Sequence, residues 1–93
     1  MVCAEMQKLR DELDKKRIEW TDESTPELVD ENFSICRTHF GYKGKHFSII
    51  HGCATYGGWA LDKSEDQGLL ELMIDMDEPV GYLTAEQVME YVR

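Results

Sequence analysis

The sequence has little positive charge, since its 93 residues include 10 Lys and Arg against 19 Asp and Glu. The formal net charge is −9 at neutral pH. Proteins that bind nucleic acid directly, or that attach to an anionic membrane surface, neutralise phosphates with Lys and Arg. The charge balance therefore argues against direct nucleic-acid binding and against membrane attachment.

Long apolar runs and an export signal are also lacking. No stretch approaches the roughly 18 apolar residues of a membrane-spanning helix, and the segment from Met1 to Glu5 lacks the basic and then apolar pattern of a secretory signal. The odd count of three cysteines therefore predicts reduced thiols in the cytoplasm. We expect a single domain over residues 1–93 that is a monomer or homodimer and needs no cofactor.

Helices are predicted near both ends of the chain. Apolar residues recur at spacings of three and four between Met6 and Leu13, which predicts a helix over residues 3–17. Near the other end, Thr84 and Gln87 have the spacing of a capping box and predict the start of a second helix. Each helix has one narrow apolar face, so both are expected to cover a single partner surface.

The middle of the chain has the alternation and β-branched content of strands. Residues 33–40 and 45–51 predict a hairpin around the turn at 41–44, residues 69–75 predict a further strand, and 18–21 a short one. The fold class is therefore α+β, with a three- to four-stranded, mainly antiparallel sheet and both helices on one face. The residues expected to face the core from the last strand are Leu70, Leu72, Ile74 and Met76.

Acidic side chains dominate the segment between residues 18 and 36, which has no Lys or Arg. One interpretation is a solvated surface that keeps the protein dispersed. The other is a surface complementary to a basic partner, such as a groove that binds nucleic acid. The residues of this predicted partner-binding surface are Asp22, Glu23, Glu27, Asp30 and Glu31.

Glycines and aromatic residues are interleaved in residues 52–59. Glycine lets the backbone bend sharply and approach a partner closely, and flat rings stack on bases or anchor protein contacts. The alternative is that Tyr56 and Trp59 fold back to fill a small core. The residues of the predicted ligand pocket are His51, Tyr56, Gly57, Gly58 and Trp59.

Catalytic and metal-binding patterns are weak. Zinc-type ligands are supplied by Cys36, His39, His51 and Cys53. However, Cys36 and His39 are three residues apart on a predicted strand, so their side chains point to opposite faces. Cys53 near His51 is a candidate thiol nucleophile, yet no third residue is marked to orient the histidine. Cys3 is expected to be exposed. We therefore assign no catalytic residue and no metal ligand.

Two stretches resemble small proteins of prophages and mobile elements in clostridia-like bacteria. The similar strings are residues 47–52 with 55–58 and 68–72, and residues 81–88, and the resemblance extends over residues 6–93. It carries no function over to single residues. The resemblance implies a phage-associated cytosolic protein of a kind that blocks host defence by binding.

The favoured function is a small, acidic, non-enzymatic accessory protein of phage type. It would bind and inhibit a host protein, such as a nucleic-acid-binding defence enzyme, in the manner of an anti-CRISPR protein. The first alternative is a protein that sequesters a small nucleotide in the aromatic and glycine-rich pocket. A Cys/His enzyme or metal-binding protein, and a structural role in a virion, are further alternatives.

Overall fold

A computed structural model describes residues 3–24, 34–58 and 66–92. Helix α1 (Ala4–Lys15) precedes the strands, and the short helix α2 (Ala85–Glu90) follows them. The strands are β1 (Thr21–Asp22), β2 (Ile35–Tyr42), β3 (Lys45–Gly52), β4 (Leu70–Ile74) and β5 (Val80–Leu83). They form one antiparallel sheet in the order β1-β2-β3-β4-β5. The α+β prediction is confirmed, with five strands instead of three or four.

Helix α1 lays its predicted apolar face on the sheet. Met6, Leu9 and Leu13 are fully buried in one core with residues of β2, β3, β4 and α2. The helix ends at Lys15 and not at residue 17, because Arg17 turns into the left-handed region with φ 59°. The apolar residues spaced three and four apart therefore predicted the buried face of the helix correctly. The predicted end of the helix was two residues beyond the observed one.

The β2–β3 hairpin is the centre of the sheet. Cys36 is paired with His51 and Phe40 with Phe47, so these side chains share the face that carries the helices. The Phe40 and Phe47 rings stack with centroids 5.0 Å apart. The two-residue turn has φ 49° at Lys43 and 79° at Gly44, the pair of positive angles that a tight hairpin favours.

Strand β5 was not predicted, and it changes the edge of the sheet. Leu70 pairs with Leu83 and Leu72 with Val80, so two residues of β5 lie opposite the single residue between them on β4. This is a β-bulge. Strand β4 ends at Ile74, and Met76 in the following turn is 94% exposed, so its predicted core position is wrong.

Helix α2 begins at the predicted capping box. The hydroxyl of Thr84 accepts a hydrogen bond from the backbone amide of Gln87 over 3.2 Å. The side-chain carbonyl of Gln87 in turn accepts a hydrogen bond from the backbone amide of Thr84 over 2.9 Å. Ala85 and Val88 are buried in the same core as α1, so both helices lie on one face of the sheet. Neither described helix has the length and apolar character that a membrane crossing requires.

Candidate functional site

The described part of the predicted acidic surface lies at the β1 edge of the sheet. The Asp22 carboxylate accepts a hydrogen bond from the backbone amide of Ser24 over 2.9 Å and forms an ion pair with Arg10 over 3.4 Å. Hydrogen bonds from Ser24, and then the charge of Arg10, lower the pKa of Asp22. Glu23 pairs with His39 at 3.0 Å. Asp22 therefore also holds this edge together. The other residues of the predicted surface, Glu27, Asp30 and Glu31, lie outside the described residues.

The predicted ligand-pocket residues fall in two different surroundings. His51 is 4% exposed, whereas Tyr56 is 55% exposed. A Cβ on Gly57 would lie 2.7 Å from the Leu69 carbonyl oxygen, and one on Gly58 would lie 2.0 Å from the Gly52 carbonyl oxygen. Close packing within the chain is therefore a sufficient reason for both glycines. Trp59 lies outside the described residues.

The His51 ring is held by hydrogen bonds at both nitrogens. Its Nδ1 lies 2.7 Å from the carbonyl oxygen of Leu69, and its Nε2 lies 3.1 and 3.2 Å from the two carboxylate oxygens of Asp66. The structure therefore brings together an imidazole and a carboxylate from two separate parts of the chain.

The surroundings of His51 and of Cys3 change the protonation of both groups. The influence of the Cys3 sulfur, against the opposing effect of burial, raises the pKa of His51 to about 9, with help from the Leu69 carbonyl oxygen and the Asp66 carboxylate. Burial raises the pKa of the Cys3 thiol, but the influence of His51 and of the start of α1 outweighs burial and lowers it. Both shifts favour the charged forms of the two groups over their neutral forms.

Cys3 and Asp66 are the residues that the sequence analysis missed. Cys53 is the candidate nucleophile because it is near His51 in sequence, yet the thiol that influences the charge of the ring is Cys3. Cys3 is partly buried at the start of α1, and Cys53 is a buried free thiol. A cysteine at the start of a predicted helix was an available signal, because helix starts stabilise thiolates. Nothing in the sequence marked Asp66.

The zinc hypothesis finds no site in the described part of the chain. Cys36 is buried and accepts hydrogen bonds from Arg10 and Ser24. His39, three residues further along β2, pairs instead with Glu23. Among the residues that the structure describes, no group of three or more His, Cys, Asp or Glu side chains is arranged to hold a metal ion.

An exposed pair of tyrosines stands beside the β5 edge. The Tyr56 and Tyr82 rings are 55% and 54% exposed, with centroids 6.2 Å apart. Val80, on the same strand, is also exposed. We call Tyr56, Val80 and Tyr82 the tyrosine surface. Residues 66–92, which carry most of it, contain seven Asp and Glu and no Lys or Arg.

Comparison with protein-family models, curated proteins and solved structures finds no match to this chain. The functional interpretation therefore depends on the side chains themselves. Two arrangements stand out in the described residues. One is the exposed tyrosine pair at the sheet edge, and the other is the buried His51 with Asp66.

Proposed function

We propose that this chain is a small binding protein that docks a basic surface of a partner protein on its tyrosine surface. The observation that carries the proposal is the backbone of Tyr82, which has φ 59° in the bulge of β5. A bulky residue in this left-handed region costs on the order of 1–3 kcal/mol, and such strain concentrates at functional sites.

The strain is informative because a glycine lies next to Tyr82 and does not take the left-handed position. Gly81 is used for a different purpose, since a Cβ there would lie 2.1 Å from the Cβ of Tyr56. The missing side chain of Gly81 gives Tyr56 its place, and the strained backbone of Tyr82 presents a second ring beside it. The glycine at position 81 and the strained backbone of Tyr82 together produce an exposed aromatic pair, and both lower the stability of the folded chain.

The backbone that carries the pair is also fixed in position. The backbone amide of Tyr56 donates a hydrogen bond to the Glu71 carboxylate over 2.9 Å. The backbone carbonyl oxygen of Tyr56 accepts a hydrogen bond from the amide of Tyr82 over 3.1 Å. Tyrosines that are already ordered lose little conformational entropy on binding, and tyrosine is among the commonest energetic anchors of protein interfaces. Two half-exposed tyrosines on a fixed backbone are better suited to anchor a partner than to serve as a solvated surface.

The acidic surroundings define the partner. Asp77 and Glu78 are exposed in the turn that leads into β5, within the stretch of residues 66–92 that has no Lys or Arg. Complementary charge favours a partner with a basic surface around an apolar centre. In this proposal the partner is a host protein that binds nucleic acid through that surface, and docking inhibits it by covering the surface.

The test is capture from the heparin-binding fraction of a bacterial lysate, with quantitative mass spectrometry. The test variant is Tyr56→Ala with Tyr82→Ala, and the control is Tyr91→Ala, which removes an exposed tyrosine at the end of α2. We expect a stoichiometric protein on the wild type and on the control, and a loss of roughly tenfold or more on the double variant. Raising NaCl from about 0.1 M to about 0.5 M should weaken retention.

Three results would contradict the proposal. The folded double variant could retain the partner as well as the wild type, the retained protein could be insensitive to salt, or nothing in this fraction could be retained. Circular dichroism on each variant separates loss of the tyrosine surface from loss of the fold.

A further inference from the structure

Both ring nitrogens of His51 lie on hydrogen-bond acceptors. Nδ1 is 2.7 Å from the carbonyl oxygen of Leu69, and Nε2 is 3.1 and 3.2 Å from the two carboxylate oxygens of Asp66. A carbonyl oxygen and an ionised carboxylate each need a donor, and a neutral imidazole has a single N–H. Only the doubly protonated ring donates to both acceptors, so His51 is charged when both contacts are made.

The two contacts hold residues 66–69, which lead into β4, against the end of β3. The His51 ring is 4% exposed, so water has little access to these hydrogen bonds. Within the segment, the Asp66 carboxylate also accepts a hydrogen bond from the backbone amide of Gly68 over 2.9 Å. One charged side chain on β3 therefore fixes both the first and the last residue of this segment.

The same segment supports the backbone that follows Tyr56. The amide of Leu69 donates a hydrogen bond to the carbonyl oxygen of Gly57 over 2.9 Å. Gly57 has φ 117°, and a Cβ there would lie 2.7 Å from the Leu69 carbonyl oxygen, which is the atom that also contacts His51. The residue next to Tyr56 therefore packs directly on the peptide group that the His51 ring holds.

We propose that His51, in its charged form, is a positioning residue of the tyrosine surface: by holding Asp66 and Leu69 it fixes the backbone beside Tyr56, and docking of the basic partner weakens when the ring loses its proton. The docking part of this inference rests on the proposed function. The positioning part depends only on contacts within the chain and is tested without a partner.

The groups around the ring favour its charge. Among the described residues, Asp66 faces it from the segment before β4, Cys3 influences it from the start of α1, and Cys36 is paired with it on β2. The Cys3 sulfur, the Leu69 carbonyl oxygen and the Asp66 carboxylate raise the pKa of His51 from 6.5 to about 9, against the opposing effect of burial. The positioning should therefore be complete below about pH 6.5 and lost as the pH rises through about 9.

The first experiment follows the full chain by NMR between about pH 5 and about pH 10, with glycine labelled by carbon-13 at Cα and histidine labelled by nitrogen-15 in the ring. Protons bound to Cα do not exchange with water, so the glycine signals persist at high pH. We expect the Gly57 signal to change with the same midpoint as the His51 ring, near pH 9. Gly41, on β2, should show no step at that pH.

Asp66→Asn is the test variant, because asparagine keeps an acceptor for Nε2 and removes the counter-charge. Since the Asp66 side chain is 46% exposed, we expect the midpoints of His51 and Gly57 to fall together by roughly 0.5–1 pH unit. Asp11→Asn is the matched control, because Asp11 is exposed on α1 and accepts a hydrogen bond from Gln7. In this control both midpoints should stay in place.

The second experiment measures docking, with the protein captured from the heparin-binding fraction as the probe. Its retention is compared at about pH 8.5 and about pH 6.5, and the ratio of the two cancels the direct effect of losing the Asp66 charge. We expect this ratio to be roughly twofold lower for Asp66→Asn than for the wild type and for Asp11→Asn, because a smaller fraction of the rings is charged at the higher pH.

The possible failures are distinct. The positioning is wrong if the Gly57 signal does not follow the His51 ring in the wild type, which needs no variant to fold, or if Asp66→Asn moves the midpoint of the ring alone. Equal retention ratios for all three chains would overturn the control of docking. If the wild type retains no protein at either pH, the proposed function fails and the control of docking fails with it, whereas the Gly57 titration still decides the positioning.

Discussion

The carboxylate of Glu5 in α1 accepts a hydrogen bond from the backbone amide of Ala85 at the start of α2, over 2.8 Å. This contact joins the first and last helices of the chain and satisfies one of the amides that a helix start leaves without a partner. The hydrogen bond from Ala85, with Lys8 close by, lowers the pKa of Glu5. The two helices are therefore fixed to each other by a charged group as well as by the core.

Replacing Glu5 tests this contact. Glu5→Ala should lower the free energy of unfolding by about 1–2 kcal/mol at neutral pH, because the Ala85 amide loses its acceptor. Glu12→Ala is the matched control, since its ion pair with Lys15 is exposed, and should cost at most about 0.5 kcal/mol. Urea unfolding monitored by circular dichroism measures both.

The same contact has a definite pH dependence. Because the folded pKa of Glu5 is lowered from 4.5, its contribution is present above about pH 4.5 and is lost as the pH falls through the folded value. The stability difference between the wild type and Glu5→Ala should therefore shrink below that pH. A difference that stays constant down to pH 3 would show that the carboxylate charge is not involved.

Arg10 is the buried cation of α1, and we expect it to stabilise the β1 side of the sheet. It donates to the Thr38 hydroxyl at 2.8 Å, lies 4.6 Å from the centre of the Trp20 ring and pairs with Asp22. Arg10→Met should cost about 2–3 kcal/mol, because Thr38 and Asp22 lose a charged donor. The measurement is again urea unfolding, and a cost below about 0.5 kcal/mol, as for an exposed lysine, would contradict this role.

The sequence predicted correctly those ends of helices that depend on residues close together in the chain. The capping box of α2 lies within four residues, from Thr84 to Gln87, and it placed the helix start correctly. Strand β5 was missed because Val80 to Leu83 is short, contains a glycine and is ordered by pairing with the distant β4. Met76 was misplaced because the apolar alternation continues past the left-handed Asp75, where the strand has already ended.

Only part of each candidate site could be predicted, because the other residues are brought in by contacts between distant parts of the chain. Tyr56 was recognised from its aromatic and glycine context, but its partner Tyr82 comes beside it only through the bulge of β5. His51 was also recognised, yet Cys53 was considered as its partner on sequence proximity. Asp66 reaches the ring from a distant part of the chain, and a single sequence does not encode that contact in any local pattern.

The strained backbone of Tyr82 makes a distinct prediction. Glycine adopts φ 59° without penalty, so Tyr82→Gly should be more stable than Tyr82→Ala by about 1 kcal/mol. At Tyr91, where φ is −80°, the order should reverse, with the alanine variant the more stable. Thermal and urea unfolding of the four variants measure this. Equal behaviour at the two positions would argue against a left-handed Tyr82.

The charge of His51 can be followed by NMR of its ring nitrogens. Because its pKa is raised from 6.5 to about 9, we expect imidazolium shifts at neutral pH and a titration near pH 9. The stabilisation from this charge should be complete below about pH 6.5 and lost as the pH rises through about 9. Cys3→Ala should lower the titration midpoint by roughly one pH unit or more. A neutral ring at pH 7 would contradict the assigned charge.

Hydrogen exchange of the chain with and without its captured partner tests the proposed docking most directly. We predict slower exchange in the peptides that contain Tyr56 and Tyr82 when the partner is bound, with α1 unchanged. Protection confined to β1 with Asp22 and Glu23, and none at Tyr56 or Tyr82, would contradict the tyrosine surface and place the contact on the acidic edge.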